Sequence, residues 1–397
     1  MITPEKIIYL DNNATTRPDP AVIEEMLPFL TTYYGNPSSG YQFGRQVHEA
    51  IELARERVAD LLGCMPSEII FTSCGTESNN TALNAAMQMD PARRHIVTTA
   101  VEHSAIYKHC QHLLKRDCEV TVVGVDENGR LDLEELEDAI RPQTALLSAM
   151  WANNETGVLF PVEKIAALAR AKRVLFHTDA VQAVGKVPIN LSNSTINFLS
   201  LSGHKLHGPK GVGALYVNRR STFQSMLFGG GQENDRRAGT ENAASIVALG
   251  KAAELAAEAM KDEQSYVRAM RDRFEDKLLA EVPETSVNGD RETRLPNTTS
   301  LSFASIESEA ALLMLDQQRL CCSAGSACHT GSLQGSHVLR AMNLGAGAVR
   351  GSLRFSFSRF NTETDVDQAL EIVPRVISKL RAMSPRQMAR AEPALLL

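Results

Sequence analysis

Lys205 sits in the run Ser202-Gly203-His204-Lys205-Leu206-His207-Gly208-Pro209-Lys210-Gly211, just past an apolar stretch. A lysine delivered in this way is a candidate Schiff-base nucleophile. Upstream, Asp179 lies on the apolar run Val174-Leu175-Phe176-His177-Thr178-Asp179-Ala180, with Gln182 just beyond it. An aspartate on one strand and a lysine past the next is the pairing that pyridoxal 5'-phosphate (PLP) chemistry requires. The carboxylate holds a proton on the pyridine nitrogen, and the amine carries the aldehyde carbon. Asp179 alone also reads as an N-cap for a helix starting at Ala180. Lys205, and Gln182 as a partner for the phenolic oxygen, favour the coenzyme.

Other segments fit the same ligand. Ser73-Cys74-Gly75-Thr76-Glu77-Ser78-Asn79 follows a strand-like run and opens a helical one. Free N–H groups at a helix start attract an anion; Gly75 lets the backbone approach and Thr76 adds a hydroxyl. Without Lys205, a simple Thr cap explains Thr76 as well. His103, past another apolar run, can stack on a flat ring and move protons, or can be a hydrogen-bonded turn residue. Asn154, in Trp151-Ala152-Asn153-Asn154-Glu155-Thr156-Gly157, can bond the phenolic oxygen or a substrate carboxylate, while Asn153 and Glu155 fix the loop. Thr240 lies near the end of a glycine-rich segment, 229–241, long enough to bring a phosphate ligand into a neighbouring subunit. Arg354, flanked by apolar residues, is a candidate bidentate carboxylate clamp; Arg350 and Arg359 are weaker ones.

The run Leu320-Cys321-Cys322-Ser323-Ala324-Gly325-Ser326-Ala327-Cys328-His329-Thr330-Gly331-Ser332 is rich in small residues, and Cys328 is its natural nucleophile. A free thiol ionises near ~8.5, so such a loop must deliver it where thiolate is favoured. Cys321 and Cys322 read as packing residues. A zinc site from Cys321, Cys322, Cys328 and His329 competes, but adjacent ligand pairs chelate poorly beside C-x-x-C spacing.

These residues need a scaffold. Strand-length apolar runs at 69–72, 95–98, 120–123, 145–150, 174–177, 198–201 and 212–217 alternate with helical patterns at 46–62, 77–88, 104–115, 132–140 and 162–172. That alternation predicts an α/β fold with a mostly parallel sheet and ligands at the strands' carboxyl ends. Long helical packing over 241–283, a strand near 298–303, a helix near 307–317, a strand around 353–357 and a helix over 363–382 follow. The 397 residues suggest two domains, with the change near residue 260, the first dozen residues packing with the C-terminal part, and a loose tail after about 384.

With 43% hydrophobic and 22% charged residues and a net charge of −6, the chain is an ordinary soluble protein. No basic stripe points to nucleic acid. No apolar stretch approaches the ~20 residues of a membrane span. The N-terminal residues lack a signal-like core, so a cytoplasmic location is expected. Seven cysteines without framework spacing argue for free thiols.

The chain resembles cysteine desulfurases of the NifS/IscS type, PLP enzymes of the class-V aminotransferase family with fold type I. The resemblance runs from Tyr9-Leu10-Asp11-Asn12-Asn13-Ala14-Thr15-Thr16 through Gly35-Asn36-Pro37-Ser38-Ser39 to the strand around Arg354. Its specific motifs are the lysine segment, Ala238-Gly239-Thr240, and Ser323-Ala324-Gly325-Ser326-Ala327-Cys328. The long cysteine loop (about 320–335) is similar to group I enzymes. The resemblance implies a large PLP-binding domain over 15–260 built on a seven-stranded sheet, and a smaller α+β domain from 1–14 and 261–397.

It also implies Lys205 as the coenzyme's lysine, Asp179 at the pyridine nitrogen, Asn154 and Gln182 at the phenolic oxygen, and His103 stacked and catalytic. Phosphate would be held by Gly75, Thr76, Ser202 and His204 from one subunit and Thr240 from the other of a homodimer. Arg354, with Asn154, would bind the substrate L-cysteine. Cys328 would take its sulfur as a persulfide, leave L-alanine, pass the sulfur to an iron–sulfur scaffold protein, and serve as a transient iron–sulfur ligand. Segments 151–156 and 332–340 are similar to the nitrogenase-associated branch. A housekeeping iron–sulfur or tRNA-thiolation desulfurase and a selenocysteine lyase are the related alternatives. Further alternatives are an aminotransferase, against which Cys328 argues, an idle sulfur carrier using the three clustered cysteines, and a Cys328–His103 hydrolase, which needs neither Lys205 nor Asp179. Cys74, where a small residue is usual, and His329, after Cys328, depart from the family pattern.

Overall fold

The computed structural model describes residues 7–324 and 335–383. The strands in chain order are β1 (Ile8–Tyr9), β2 (Ile69–Thr72), β3 (His95–Thr99), β4 (Glu119–Val123), β5 (Thr144–Ser148), β6 (Leu175–Asp179), β7 (Phe198–Ser202), β8 (Gly213–Val217), β9 (Thr285–Val287), β10 (Thr298–Phe303), β11 (Leu320–Cys321) and β12 (Ser352–Ser356). Strands β2 to β8 form one seven-stranded sheet in the order β2-β8-β7-β6-β5-β3-β4. Pairs β4/β3, β3/β5, β5/β6 and β6/β7 are parallel, and β8 runs antiparallel to both β7 and β2. The sheet is therefore mostly parallel, as expected, with β8 its one reversed strand.

Its apolar runs are continuous because both faces are covered. Successive residues point into opposite cores. Ile96, Leu146, Phe198 and Leu215 join one core with Ala82, Ala86 and Ile106 of the helices Gly75–Met89 and Ser104–Leu114. Their neighbours Val97, Leu147, Leu199 and Ala214 join the other, with Val58, Ile165 and Leu249 of Gln42–Leu62, Val162–Ala171 and Ala243–Asp262. A third core gathers Ile8 and Leu10 with Phe274, Leu301, Phe303, Phe355 and Phe357. Phe274 meets Phe355 edge-on, with centroids 4.9 Å apart.

In that region β10 lies between β9 and β12, both antiparallel to it, and β1 pairs in parallel with β11. The helical stretch from Ala243 runs to Asp262, passes one π turn at Glu263–Val267, and resumes as Arg268–Glu281. The last described helix is Glu363–Met383.

Parallel strands end on the same side of a sheet. Hence the segments after β2, β3, β5, β6 and β7 all emerge at one edge, where ligands of open α/β sheets bind.

Candidate functional site

One cavity opens at that edge. Gly75 and Thr76 from the segment after β2, His103 after β3 and Asn154 after β5 line it. So do Asp179 and Gln182 at the end of β6, and Ser202, His204 and Lys205 at the end of β7. Arg354 reaches it from β12. Of the described candidates, Thr240 and the two weaker clamps lie outside: Thr240 is exposed, in the loop before the helix Ala243–Asp262, Arg350 faces Glu307 at 3.7 Å, and Arg359 pairs with Asp19 at 2.9 Å. Cys328 and His329 lie outside the described residues.

The anion-attracting end of the cavity is the start of Gly75–Met89, whose first N–H groups face no preceding turn. Close packing brings it there. A Cβ on Gly213 would meet the Leu201 carbonyl oxygen at 2.7 Å and the Cys74 backbone at 2.9 Å, so β8 presses directly against the turn into the helix. A Cβ on Gly75 would meet Val181 Cγ2 at 2.8 Å, so only glycine leaves room at this corner. The segment carrying Thr240 is anchored beside it. Arg237 pairs with Glu77 at 2.9 Å, and buried Glu233 takes a bidentate bond from Arg55 at 2.7 and 2.9 Å.

At the other end Asp179 is buried. Its Oδ2 accepts from Asn79 Nδ2 at 2.6 Å and its Oδ1 from the Val181 N–H at 3.0 Å. The capping-type bond thus exists without excluding the functional role. Asn79 was not among the sequence candidates; its spacing of one helical turn from Gly75 was the available signal. Two residues before Asp179, His177 bridges Ser148 and Ser200 hydroxyls at 2.9 and 3.0 Å. Burial pushes its imidazole down to about 3, so the ring beneath Asp179 is neutral.

Lys205 Nζ donates to the Asn13 and Ala14 carbonyls at 2.5 and 2.6 Å. Gln182 Nε2 donates to the same Asn13 carbonyl at 2.9 Å, while its Oε1 accepts from buried Lys186 at 3.3 Å. Lys186 therefore sets which way this amide faces. The Asn13 and Ala14 carbonyls were also missed, because backbone acceptors leave no residue-type signal. His204 Nδ1 lies 3.2 Å from Thr15 Oγ1. Burial and the adjacent Lys205 charge push its imidazole down to about 4, so it offers a neutral ring. His103 Nδ1 accepts the Ala105 N–H at 3.2 Å.

Arg354 is buried, as its apolar flanks suggested. It donates from Nη1 to the Asn154 carbonyl at 2.9 Å and from Nη2 to Asp11 at 2.7 Å. Its buried Nε has no partner among the described residues. His337, at the start of the helix His337–Ala341, also lines the cavity; its Nε2 lies 3.0 Å from the Glu102 carbonyl and its ring stacks on Tyr107. Both ends of the cysteine loop are tied to the site. Ser323 Oγ donates to Asp11, and Ser336 Oγ donates to Glu155 at 2.5 Å.

Glu102, beside His103, is buried; its Oε1 accepts from Thr99 Oγ1 at 2.8 Å and the Met150 N–H at 2.9 Å. Burial pushes its carboxyl up to about 8, opposed by those two bonds and reinforced by the Asp179 charge. A folded value above the unfolded one contributes stability at low pH that is lost as pH rises through about 8. Glu102→Gln keeps the acceptor without a charge. Urea unfolding midpoints should therefore fall less for the variant than for the parent between about pH 6 and about pH 9.

The arrangement fits PLP. A buried carboxylate suits a protonated ring nitrogen, the His103 imidazole suits the ring face, and a helix start with a glycine-only corner suits the phosphate. An amine stands between them, and a guanidinium with an open donor suits a substrate carboxylate. Among the described residues no group of three or more His, Cys, Asp and Glu side chains is placed to hold a metal ion, and all six described cysteines are free thiols. Burial pushes the Cys322 thiol well up, which suits packing rather than reaction. Among the described residues no helix is long and apolar enough to cross a membrane.

Residues 8–369 match the family model described as aminotransferase class-V. Cysteine desulfurase 2 of Trichormus variabilis is 55% identical over 379 residues, 96% of this chain and 95% of that protein. Cysteine desulfurase NifS of Azotobacter vinelandii is 52% identical, over 95% of this chain and 94% of that protein. A solved structure described as a NifS-like protein superposes with a TM-score of 0.89 at 36% identity, covering 94% of this chain and all of that one.

Proposed function

The chain belongs to the aminotransferase class-V family and is a cysteine desulfurase, and on that premise we propose how its residues divide the work. Enzymes of this kind depend in general on PLP, which supplies an electron sink for carbanions formed beside it. Here Lys205 would hold the coenzyme's aldehyde carbon, Asp179 would keep its ring nitrogen protonated, and His103 would cover its face. Gly75, Thr76, Ser202 and His204 would bind the phosphate, and Asn154 and Gln182 the phenolic oxygen. Asn79 supports Asp179 by the 2.6 Å bond.

Arg354 holds the carboxylate of L-cysteine and so aims the Cα–H bond at Lys205 Nζ, which takes that proton. The Cys328 thiolate then attacks the substrate sulfur. L-Cysteine plus the enzyme thiol gives L-alanine plus a Cys328 persulfide, so the step needs no outside oxidant. The observation that carries this reading is the convergence of Lys205, buried Asp179 and the open donor of Arg354 on one cavity.

Thr240 completes the phosphate site of a second copy in a homodimer. Its outward position supports this, as do exposed Leu30, Tyr34 and Phe228, which a partner would cover. The domain change near residue 260 is supported by the separate core around Phe274. The persulfide passes to an iron–sulfur scaffold protein, with Cys328 a transient cluster ligand, and a nitrogenase-associated role is supported by the NifS relative. Six free thiols fit a reducing cytoplasm.

The test pairs two assays on one cysteine-treated sample. The parent should yield L-alanine and a persulfide on the Cys328 peptide together. Cys328→Ala should keep the visible coenzyme band yet lose at least about 99% of cysteine-dependent alanine formation, the loss expected when a nucleophile is removed. Sulfur release at the parent rate by that variant would exclude Cys328.

A further inference from the structure

Asp11 occupies the guanidinium that the substrate needs. Arg354 Nη2 donates to Asp11 Oδ1 at 2.7 Å, and the Arg354 side chain is 2% exposed. The same carboxylate takes Ser323 Oγ on both oxygens at 2.9 Å. Ser323 is bonded to the backbone of Arg354 in both directions, N–H to carbonyl, at 2.7 and 3.1 Å. Ser323 immediately precedes the small-residue loop that carries Cys328. The backbone carbonyl of Asp11 accepts the Ala14 N–H at 3.0 Å and so begins the turn whose carbonyls receive Lys205. One residue thus touches the substrate anchor and the loop base with its carboxylate, and the turn at the lysine with its backbone.

We infer that Asp11 is a positioning residue that stands in for the substrate carboxylate before substrate binds and couples its arrival to the base of the cysteine loop. The inference rests on Arg354 being the carboxylate anchor. A buried guanidinium without a counter-charge is costly, and Asp11 offsets that cost until an external carboxylate comes. The incoming carboxylate takes the open Nε edge and shares the guanidinium. Asp11 then holds Arg354 less tightly, and with it Ser323. Substrate binding and release of the loop base at Ser323 become a single event.

This predicts an uncommon pairing of effects. Asp11→Asn is isosteric and still accepts a bond from Arg354, but leaves that buried cation without its charge partner. The PLP-loaded variant should bind L-alanine, a carboxylate ligand without sulfur, at least about fivefold more tightly than the parent by absorbance titration. It should nevertheless turn over L-cysteine at least about threefold more slowly at saturation, because binding no longer releases the loop base at Ser323. A merely structural role for Asp11 would weaken binding or leave it alone.

A second measurement on the parent enzyme is independent of the variant's folding. Amide exchange over 320–324 should quicken when L-alanine is added, and in Asp11→Asn it should show no response. Unchanged or weaker L-alanine affinity in the variant, or no response of 320–324 in the parent, would overturn the coupling. Arg354→Lys separates this from failure of the anchor itself, since it should weaken L-alanine binding at least about tenfold. If it does not, the reading of Arg354 is wrong whatever Asp11→Asn does.

Discussion

Lys205→Ala should abolish the visible absorbance of the coenzyme-loaded protein and lower cysteine-dependent alanine formation by at least about a thousandfold. The amine has two tasks, and no neighbour can take over either. It carries the coenzyme and later removes the Cα proton. Lys186 is the other amine close by, but it points away, into Gln182 and toward Glu263. Its Nζ donates to the Gln182 carbonyl at 3.1 Å, and burial pushes it down to about 8. Added propylamine should restore part of the proton-transfer rate in Lys205→Ala but none of the covalent attachment. Full activity in this variant would move the chemistry to another amine.

Asp179→Asn should lower kcat by about two to three orders of magnitude while changing coenzyme content little. The loss has a simple origin. An amide cannot hold a proton on the pyridine nitrogen, and without it the ring accepts electrons from the substrate poorly. The fold should tolerate the change, because an asparagine Oδ1 still accepts the Val181 N–H that Asp179 takes at 3.0 Å. Asn79→Ala should give a smaller loss, of about tenfold, by leaving the carboxylate short of the one side-chain donor it has among the described residues. The pair is checked by steady-state rates beside the absorbance of each loaded variant.

The large sheet was legible because both of its faces are buried. Runs such as Ile69-Ile70-Phe71-Thr72 and Phe198-Leu199-Ser200-Leu201 are mostly apolar and buried on successive residues, and polar or glycine-bearing segments bound them. Once those runs are parallel strands, their polar sequels must share an edge, so Lys205, Asp179 and His103 were predictable as neighbours. Arg354 was recognisable as buried from its flanks. Its partner was not, because Asp11 is 343 positions away and only the register of β12 against Asp11 and Ser323 brings the two together. Glu102 reads as an ordinary charged residue, and its raised carboxyl is a product of three-dimensional burial alone. His337 joins the cavity through the far anchor of the cysteine loop, a contact that residue spacing does not encode.

One covalent bond underlies everything proposed for this chain. Protein fully loaded with PLP, reduced with borohydride and digested, should carry the coenzyme's mass on the peptide containing Lys205 and on no other. Label on the Lys186 peptide, or no label on fully loaded protein, would contradict the account.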